Sequence, residues 1–130
     1  SIQFLLAGNS TFTVSNPTGD HYTFKVTKSK EKYLNGKYTF FISLLTGPDE
    51  YTYLGIVKNN SVALTRKSKY KFDSIPYRVA KWAIEKIMYQ KLLPIGYDIL
   101  HAGKCGKCGR KLTTPESIKT GLGPVCARSL

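Results

Sequence analysis

The feature that most constrains this 130-residue chain is the spacing of its three cysteines, all of which lie after residue 100. Two residues separate Cys105 from Cys108, and 17 residues separate Cys108 from Cys126. A C-x₂-C spacing lets two sulfurs reach one ion from a tight turn, and thiolates suit tetrahedral Zn²⁺. An odd number of cysteines does not suit a secreted disulfide framework and favours a reducing, cytoplasmic setting. We therefore predict that Cys105, Cys108 and Cys126 are ligands of one structural zinc ion.

Three alternatives to zinc remain for this cysteine pattern. A redox pair of the thioredoxin type would need a βαβ context and would not need Cys126. A Cys105–Cys108 disulfide would leave Cys126 free, and an iron–sulfur cluster usually takes four cysteines. As the fourth zinc ligand we predict His101, with His21, a carboxylate or a water molecule as the alternatives. A water molecule in that position would leave the site open, as catalytic zinc requires.

The residues around the cysteines predict a compact zinc knuckle followed by a short helix. Gly106 and Gly109 supply the open backbone that a tight turn needs. Residues 114–116, Thr-Pro-Glu, are typical of a helix start, with a capping hydroxyl, a proline and an early acidic residue. Residues 121–124, Gly-Leu-Gly-Pro, would then turn the chain back and deliver Cys126 to the other sulfurs.

The first 65 residues show the alternation of apolar and polar side chains that is typical of half-buried strands. Turn sequences such as 16–20, Asn-Pro-Thr-Gly-Asp, and 46–50, Thr-Gly-Pro-Asp-Glu, separate these segments. The predicted strands are 10–16, 21–28, 38–45, 51–58 and 61–64. The apolar positions expected to face the core are Phe12, Val14, Tyr22, Phe24, Val26, Phe40, Ile42 and Leu44. We predict an N-terminal antiparallel sheet of about five strands.

A helical period replaces the strand period near residue 73. Asp73 or Ser74 can cap this helix, Pro76 fits its first turn, and Pro94 with Gly96 would close it. The apolar stripe contains Val79, Trp82, Ala83 and Ile87, and the side chains expected to face water are Lys81, Glu85 and Lys86. We predict one long helix packed on one face of the sheet, and therefore an α+β fold.

The composition shifts near residue 100, where Gly, Lys and Cys replace the apolar pattern. We place a boundary there, with an α+β domain at 1–100 and a zinc-binding module at 101–130 packed on it. The module is too short and polar for a core of its own, so we expect the metal to hold it. The chain has no 18-residue apolar run and its opening, SIQFLLAG, has no basic region. We therefore expect neither a membrane span nor a signal peptide.

The chain carries a formal net charge of +12, and 14 of its 20 basic residues lie after residue 60. A positive field of this size favours an anionic partner, either DNA or RNA or an acidic protein face, although a lysine-rich surface also keeps small proteins soluble. The candidate partner-binding residues form two clusters: Lys104, Lys107, Arg110 and Lys111 around the knuckle, and Arg66, Lys67, Lys69 and Lys71 before the helix. Tyr51 and Tyr53 share a strand face and could stack on bases, although this spacing also suits packing.

The sequence from His101 to Cys126 resembles a recurrent phage-borne zinc module, an uncharacterised-domain family with the pattern CGxCGRxLTxPxSxxxGxGPxC. Segments 12–19, 22–24, 45–48 and 51–55 resemble the longer phage proteins that carry this module, so the resemblance covers nearly the whole chain. It implies a structural zinc ion and leaves the biochemical function unassigned. The chain also resembles the small zinc-containing anti-CRISPR proteins of type II systems. That resemblance implies binding to the effector nuclease and a block of target DNA loading.

We predict that the protein is not an enzyme, because its eight carboxylates are scattered and no Gly-rich phosphate loop or nucleophile motif is present. With an open zinc, Glu116 would be the candidate base. The resemblance makes a phage-encoded inhibitor in the host cytoplasm the expected function, with a type II CRISPR effector nuclease or its guide complex as partner and no membrane or small-molecule substrate. Because the chain is strongly basic, it would not mimic DNA. It would instead bind an acidic or mixed face of the nuclease. The alternative is a phage accessory protein that binds nucleic acid through its basic surface.

Overall fold

The computed structural model describes residues 1–112, 115–123 and 126–127, and these form an α+β arrangement. In chain order the elements are α1 (Ile2–Leu5), β1 (Asn9–Ser15), β2 (His21–Lys28), β3 (Phe40–Gly47), β4 (Glu50–Lys58), β5 (Ser61–Ala63), α2 (Ile75–Met88), β6 (Asp98–His101) and α3 (Pro115–Thr120). Five of the six strands lie where the alternating sequence predicts them. The predicted α+β class is confirmed.

All strands belong to one antiparallel sheet with the order β5-β4-β3-β2-β1-β6. The prediction of about five strands is wrong by one, because the sequence after the helix adds β6 beside β1. The register of this pair places Phe12 opposite His101 and Ser15 opposite Asp98. Four residues are too few to show a clear alternation, and so the strand is not visible in the sequence pattern. β6 runs across position 100, and the division of the chain at that point stays a prediction.

The core lies on one face of the sheet, where the apolar residues of neighbouring strands meet. The predicted inward positions are confirmed: Phe12, Val14, Phe24, Val26, Ile42 and Leu44 are buried, and Tyr22 and Phe40 are partly buried against them. Leu5 of α1 joins this core, and the buried hydroxyl of Ser10 donates to the Leu5 carbonyl oxygen at 3.0 Å. The opening residues, which read only as an apolar patch in the sequence, therefore form a helical turn that closes one end of the core.

The long helix α2 packs on the core face of the sheet. Ser74 is its N-cap, with Oγ accepting from the Tyr77 N–H, and Ala80, Ala83 and Ile84 are its buried residues. The helix ends at Met88, well before Pro94 and Gly96, which were predicted to close it. The chain leaves the helix at Gln90, whose φ of 52° lies in the left-handed region. No helix in the described ranges is long and apolar enough to span a bilayer.

The polar face of α2 carries an ion pair that is hydrogen-bonded to β5. Lys81 Nζ lies 2.7 Å from Glu85 Oε2, and the Ser61 hydroxyl donates to the same oxygen at 2.7 Å. The hydrogen bond from Lys81, together with the one from Ser61, lowers the pKa of the Glu85 carboxyl. The same hydrogen bond with Glu85 raises the pKa of Lys81. Both side chains remain partly exposed, so this ion pair contributes little to the stability of the fold.

Gly55 is the residue that allows β4 and β5 to approach closely. A Cβ at this position would lie 2.4 Å from the carbonyl oxygen of Ala63, which is backbone and cannot move aside. The adjacent pair in the ladder is Ile56 with Ala63. A side chain at Gly55 would therefore separate the two strands.

We predict that Gly55→Ala lowers the free energy of unfolding by about 1–3 kcal/mol, because the added methyl overpacks this contact. Thermal or urea unfolding measures the change. Gly47→Ala is the matched control, since its Cβ would meet only the flexible Glu50 side chain. Equal stability of the two variants would contradict the assignment of Gly55 to a close strand approach.

Candidate metal centre

The chain enters the cysteine-rich segment directly from the edge strand β6 and folds into a tight hairpin. The Cys105 N–H donates to the Arg110 carbonyl oxygen at 2.8 Å, and the Gly109 N–H donates to the Cys105 carbonyl oxygen at 2.9 Å. Lys104 pairs with Lys111 as an isolated antiparallel bridge. Gly109 has a φ of 79°, which explains why a glycine stands directly after Cys108. This hairpin is the knuckle that the C-x₂-C spacing predicts.

The structure brings the three cysteine sulfurs together. The Sγ atoms of Cys105, Cys108 and Cys126 all lie within 4.8 Å of one another, and the group could hold a metal ion. In a tetrahedral site with Zn–S bonds of about 2.3 Å, sulfurs are separated by roughly 3.8 Å, so the group has the right size for zinc. Cys105 is buried, Cys126 is partly buried and Cys108 is exposed. Among the described residues, no histidine or carboxylate belongs to this group.

Backbone N–H groups surround the sulfur of Cys105. Burial raises the pKa of this thiol, but hydrogen bonds from the N–H groups of Gly123, Cys108 and Lys107 and from the Cys126 thiol outweigh burial and set the pKa at about 6. Burial, followed by the interactions with the other two sulfurs, raises the pKa of Cys126 to about 11. At neutral pH the group therefore holds a thiolate at Cys105 and a proton at Cys126. Donors of this kind stabilise the negative charge that a metal-bound thiolate carries.

The knuckle is attached to the rest of the molecule through Phe4 of α1. The ring packs so closely on Gly106 and Gly121 that a Cβ would lie 2.7 Å from it at Gly106 and 2.3 Å at Gly121. Two backbone hydrogen bonds support the contact: Gly106 N–H to Gly121 O at 2.8 Å, and Asn9 N–H to Gly106 O at 2.7 Å. Gly106 is therefore required for packing against Phe4, and not for the open turn that the sequence suggested.

A second, small apolar cluster lies under the sulfurs. Its buried members are Ala7, Cys105, Leu112 and Leu122, with Cys126 partly buried against them. Ala7 comes from the N-terminal segment, and it was missed by the sequence reasoning together with Phe4 and Asn9. The only signal for these residues is the apolar opening, SIQFLLAG, which does not show what it packs against.

His101 is not brought to the sulfur group. The Gly103 N–H donates to its Nδ1 at 2.9 Å, so Nε2 carries the ring proton and faces the carbonyl oxygen of Ile118. The imidazole also packs on Phe4, with 5.5 Å between the ring centroids. Both ring nitrogens are therefore engaged by backbone groups, and His101 connects the end of β6 to α3.

His21, the alternative ligand, lies at the far end of the sheet from the sulfurs. It pairs with Ser15 at one end of β1, whereas the knuckle contacts Asn9 at the other end. Six residues of strand correspond to roughly 20 Å. Its exposed ring is within hydrogen-bonding distance only of the Gly19 carbonyl oxygen among the described residues.

The two basic clusters lie at opposite edges of the sheet. The first surrounds the knuckle after β6, and the second follows β5. All eight side chains are exposed: Lys104, Lys107, Arg110, Lys111, Arg66, Lys67, Lys69 and Lys71. Six strands at about 4.8 Å spacing place the two edges roughly 24 Å apart. A small partner would therefore contact one cluster at a time.

The end of the module is described in part. The predicted short helix is present as α3, with Pro115 at its start and Glu116 in its first turn. The predicted cap, Thr114, and the turn residue Pro124 lie outside the described residues. Gly121 has a φ of 74°, and the Ala127 N–H donates to the Gly123 carbonyl oxygen at 2.9 Å close to Cys126.

Comparison with known proteins identifies only this segment. Residues 99–130 match the model of a family of unknown function, DUF6011. The match covers about a quarter of the chain, and together with the three-cysteine group it fits an uncharacterised zinc-module family. No curated protein and no solved structure matches the chain.

We predict that Gly106→Ala weakens metal retention, because the new methyl group would collide with the Phe4 ring and push the knuckle away. The cost in stability is about 1–3 kcal/mol, and competition with a chelator measures the loss of metal. Gly123→Ala is the control within the same module, since its Cβ would lie 4.0 Å from Cys105 Sγ, an ordinary contact. If both variants retained metal as well as the parent protein, the Phe4 contact would not support the site.

We predict that zinc affinity rises with pH, because metal binding must displace thiol protons. Cys126, with its pKa raised to about 11, holds a proton that zinc must displace throughout the neutral range. This group alone makes the affinity rise about tenfold per pH unit. Cys105 adds a further proton only below about pH 6, so the slope steepens there. Chelator competition across pH 5–9 tests this, and an affinity independent of pH would contradict it.

Proposed function

We propose that the metal is a single structural zinc ion held by the sulfurs of Cys105, Cys108 and Cys126. The separation of the sulfurs, the thiolate-stabilising N–H groups at Cys105 and the docking of the knuckle on Phe4 support this assignment. A water molecule would fill the fourth position, and the predicted ligand His101 could take its place only if its ring left the backbone groups of Gly103 and Ile118. The ion supplies a charge that keeps the three thiolates together, and it has no part in a reaction.

We further propose that the protein is a non-enzymatic, phage-encoded binding protein that inhibits a type II CRISPR effector nuclease in the host cytoplasm. One observation carries the proposal: the knuckle buries one sulfur and the glycine that packs on Phe4, and it turns its basic side chains outward. Cys105, Gly106 and Leu112 are buried, whereas Lys104 and Arg110, which lie between or beside them, are exposed. Zinc thereby holds a rigid basic surface in one orientation.

The sign of the charge decides how such an inhibitor would act. At a net charge of +12 the protein cannot imitate DNA, and it would be repelled from the basic groove that receives the target. The knuckle would instead contact an acidic face of the nuclease or the phosphates of its guide RNA. Binding there would obstruct target loading without occupying the DNA site itself. The resemblance to zinc-containing anti-CRISPR proteins agrees with this mode of action.

Co-purification with a type II nuclease–guide complex, followed by a cleavage assay, tests this function. We predict a stable complex that suppresses cleavage of target DNA. The triple variant Lys104→Glu, Arg110→Glu and Lys111→Glu should weaken inhibition roughly tenfold or more, because three charges at the proposed contact are reversed. Zinc content measured on the same sample shows that the knuckle is intact.

The triple variant Arg66→Glu, Lys67→Glu and Lys69→Glu is the matched control, since it changes the net charge equally at the opposite sheet edge. We expect it to inhibit cleavage nearly as well as the parent protein. A parent protein that neither binds the complex nor suppresses cleavage would overturn the proposed function. Equal loss in both triple variants would show that charge alone, and not the knuckle surface, drives the association.

A further inference from the structure

The sheet face opposite α2 carries a group of aromatic side chains on neighbouring strands. The register places Tyr53 opposite Ser43 and Tyr51 opposite Leu45, so both tyrosines share one face. Phe41 lies on the same face, and its ring contacts Tyr53 edge-on with 6.2 Å between the centroids. These three rings alternate with the core residues of β3 and β4. We call this surface the outer face.

No helix of the described chain covers the outer face. The helix α2 packs with the core residues on the other side, and α1 closes one end of that core. Phe41, Tyr51 and Tyr53 are each half-buried by their neighbours in the sheet, and Leu45 beside them is 37% exposed. The rings are therefore fixed in position by the strands while one side remains accessible to a ligand.

Basic groups border the aromatic rings. Lys25 Nζ lies over the Tyr51 ring, 4.3 Å from its centroid. Next to β4, the chain after β5 runs back along Tyr53: the Tyr53 hydroxyl lies 2.9 Å from Thr65 Oγ1, and its carbonyl oxygen accepts from the Lys69 N–H at 3.3 Å. The segment between these two contacts contains Arg66 and Lys67, which are both exposed.

These charges are available to a ligand. The ion pair found among the described residues, Lys81–Glu85, involves none of these groups. No described carboxylate lies within ion-pair distance of Lys25, Arg66 or Lys69. The carboxylates nearest in sequence are Asp49, in the turn before β4, and Glu50, the first residue of β4 next to Tyr51, and neither forms an ion pair with these lysines or Arg66. Lys25 is half-buried by its neighbours, and its contact with the tyrosine ring is weak enough for the ammonium to move from Tyr51 to a phosphate.

We propose that the outer face binds single-stranded nucleic acid, with bases stacked on the aromatic rings and phosphates at Lys25, Arg66, Lys67 and Lys69. Aromatic rings flanked by basic groups are the combination that binds single strands with little sequence preference. Tyr51 and Tyr53 are two residues apart on one strand, or roughly 6.8 Å. That is about twice the 3.4 Å spacing of nucleotides along one strand of a duplex. Only a single strand can splay its bases to that distance.

This proposal concerns a different surface from the nuclease inhibitor function and does not depend on it. The knuckle lies at the β6 edge of the sheet, whereas the outer face is bordered by the chain that follows β5 at the other edge. The positive charge of the border favours a nucleic acid as the occupant over a protein surface with few acidic residues. The two functions can therefore be removed separately by substitution.

Fluorescence anisotropy with the zinc-loaded whole protein tests the inference. The probes are labelled single strands of about ten uridines or ten thymidines and a duplex of the same length, at about 50 mM salt. We expect binding to the single strands in preference to the duplex, weakening as salt is raised. Tyr51→Ala and Tyr53→Ala should each weaken binding roughly fivefold or more, and the phenylalanine variants should retain more binding than the alanine variants.

Two controls separate stacking from general attraction. Tyr38 also lies under lysine ammonium groups, those of Lys28 and Lys32, but it precedes β3 and is not on the outer face. Tyr38→Ala should leave binding unchanged. Lys25→Gln, which removes no ring, should weaken binding and reduce its salt dependence.

Several outcomes would overturn the inference. They are no binding of either single strand at low salt, equal binding of the duplex, or binding that survives both tyrosine-to-alanine changes. Loss of binding only when the knuckle residues Lys104, Arg110 and Lys111 are reversed would place the nucleic acid elsewhere and would also overturn it. If the outer face binds a protein instead, neither single strand would bind at low salt.

Discussion

Phe4 packs against the backbones of Gly106 and Gly121, and this contact fixes the position of the cysteine-rich tail on the sheet. Among its described residues the tail supplies Cys105, Leu112 and Leu122 as buried apolar residues of its own, and these are too few to form a core. Two features compensate for that deficit: three sulfurs that lie close enough to hold one ion, and the ring of an N-terminal residue packed against glycine backbone. Because the inward side is occupied in this way, the lysines and arginine of the knuckle have to face solvent.

Much of the fold follows from the sequence, because strands with one buried face leave a strong period-two signal. Phe12 with Val14, and Phe24 with Val26, face the core as their alternation predicts. Ser74 caps the helix α2 as its position before Pro76 indicates. The short elements α1 and β6 have four residues each, so neither spans enough residues for its period to be recognised. Their places are decided by tertiary packing, which a local pattern does not contain.

The candidate site was predictable in its sulfurs and not in its surroundings. C-x₂-C spacing and a later cysteine reflect the geometry of one ion, so the grouping of the three residues follows from chemistry alone. The position of His101 depends on the register of β6 with β1 and on a carbonyl oxygen of α3, both of which are long-range facts. Phe4 lies about one hundred residues before the knuckle in the chain. Only the folded chain shows that these residues meet.

X-ray absorption at the zinc edge, on protein purified without chelator, tests the account most directly. We expect one zinc ion per chain with three sulfur ligands at about 2.3 Å and one nitrogen or oxygen ligand. An imidazole signature would assign the fourth position to His101, and its absence would assign that position to water. Substoichiometric zinc, or a first coordination shell without three sulfurs, would contradict the claim that the cysteine group is a structural zinc site.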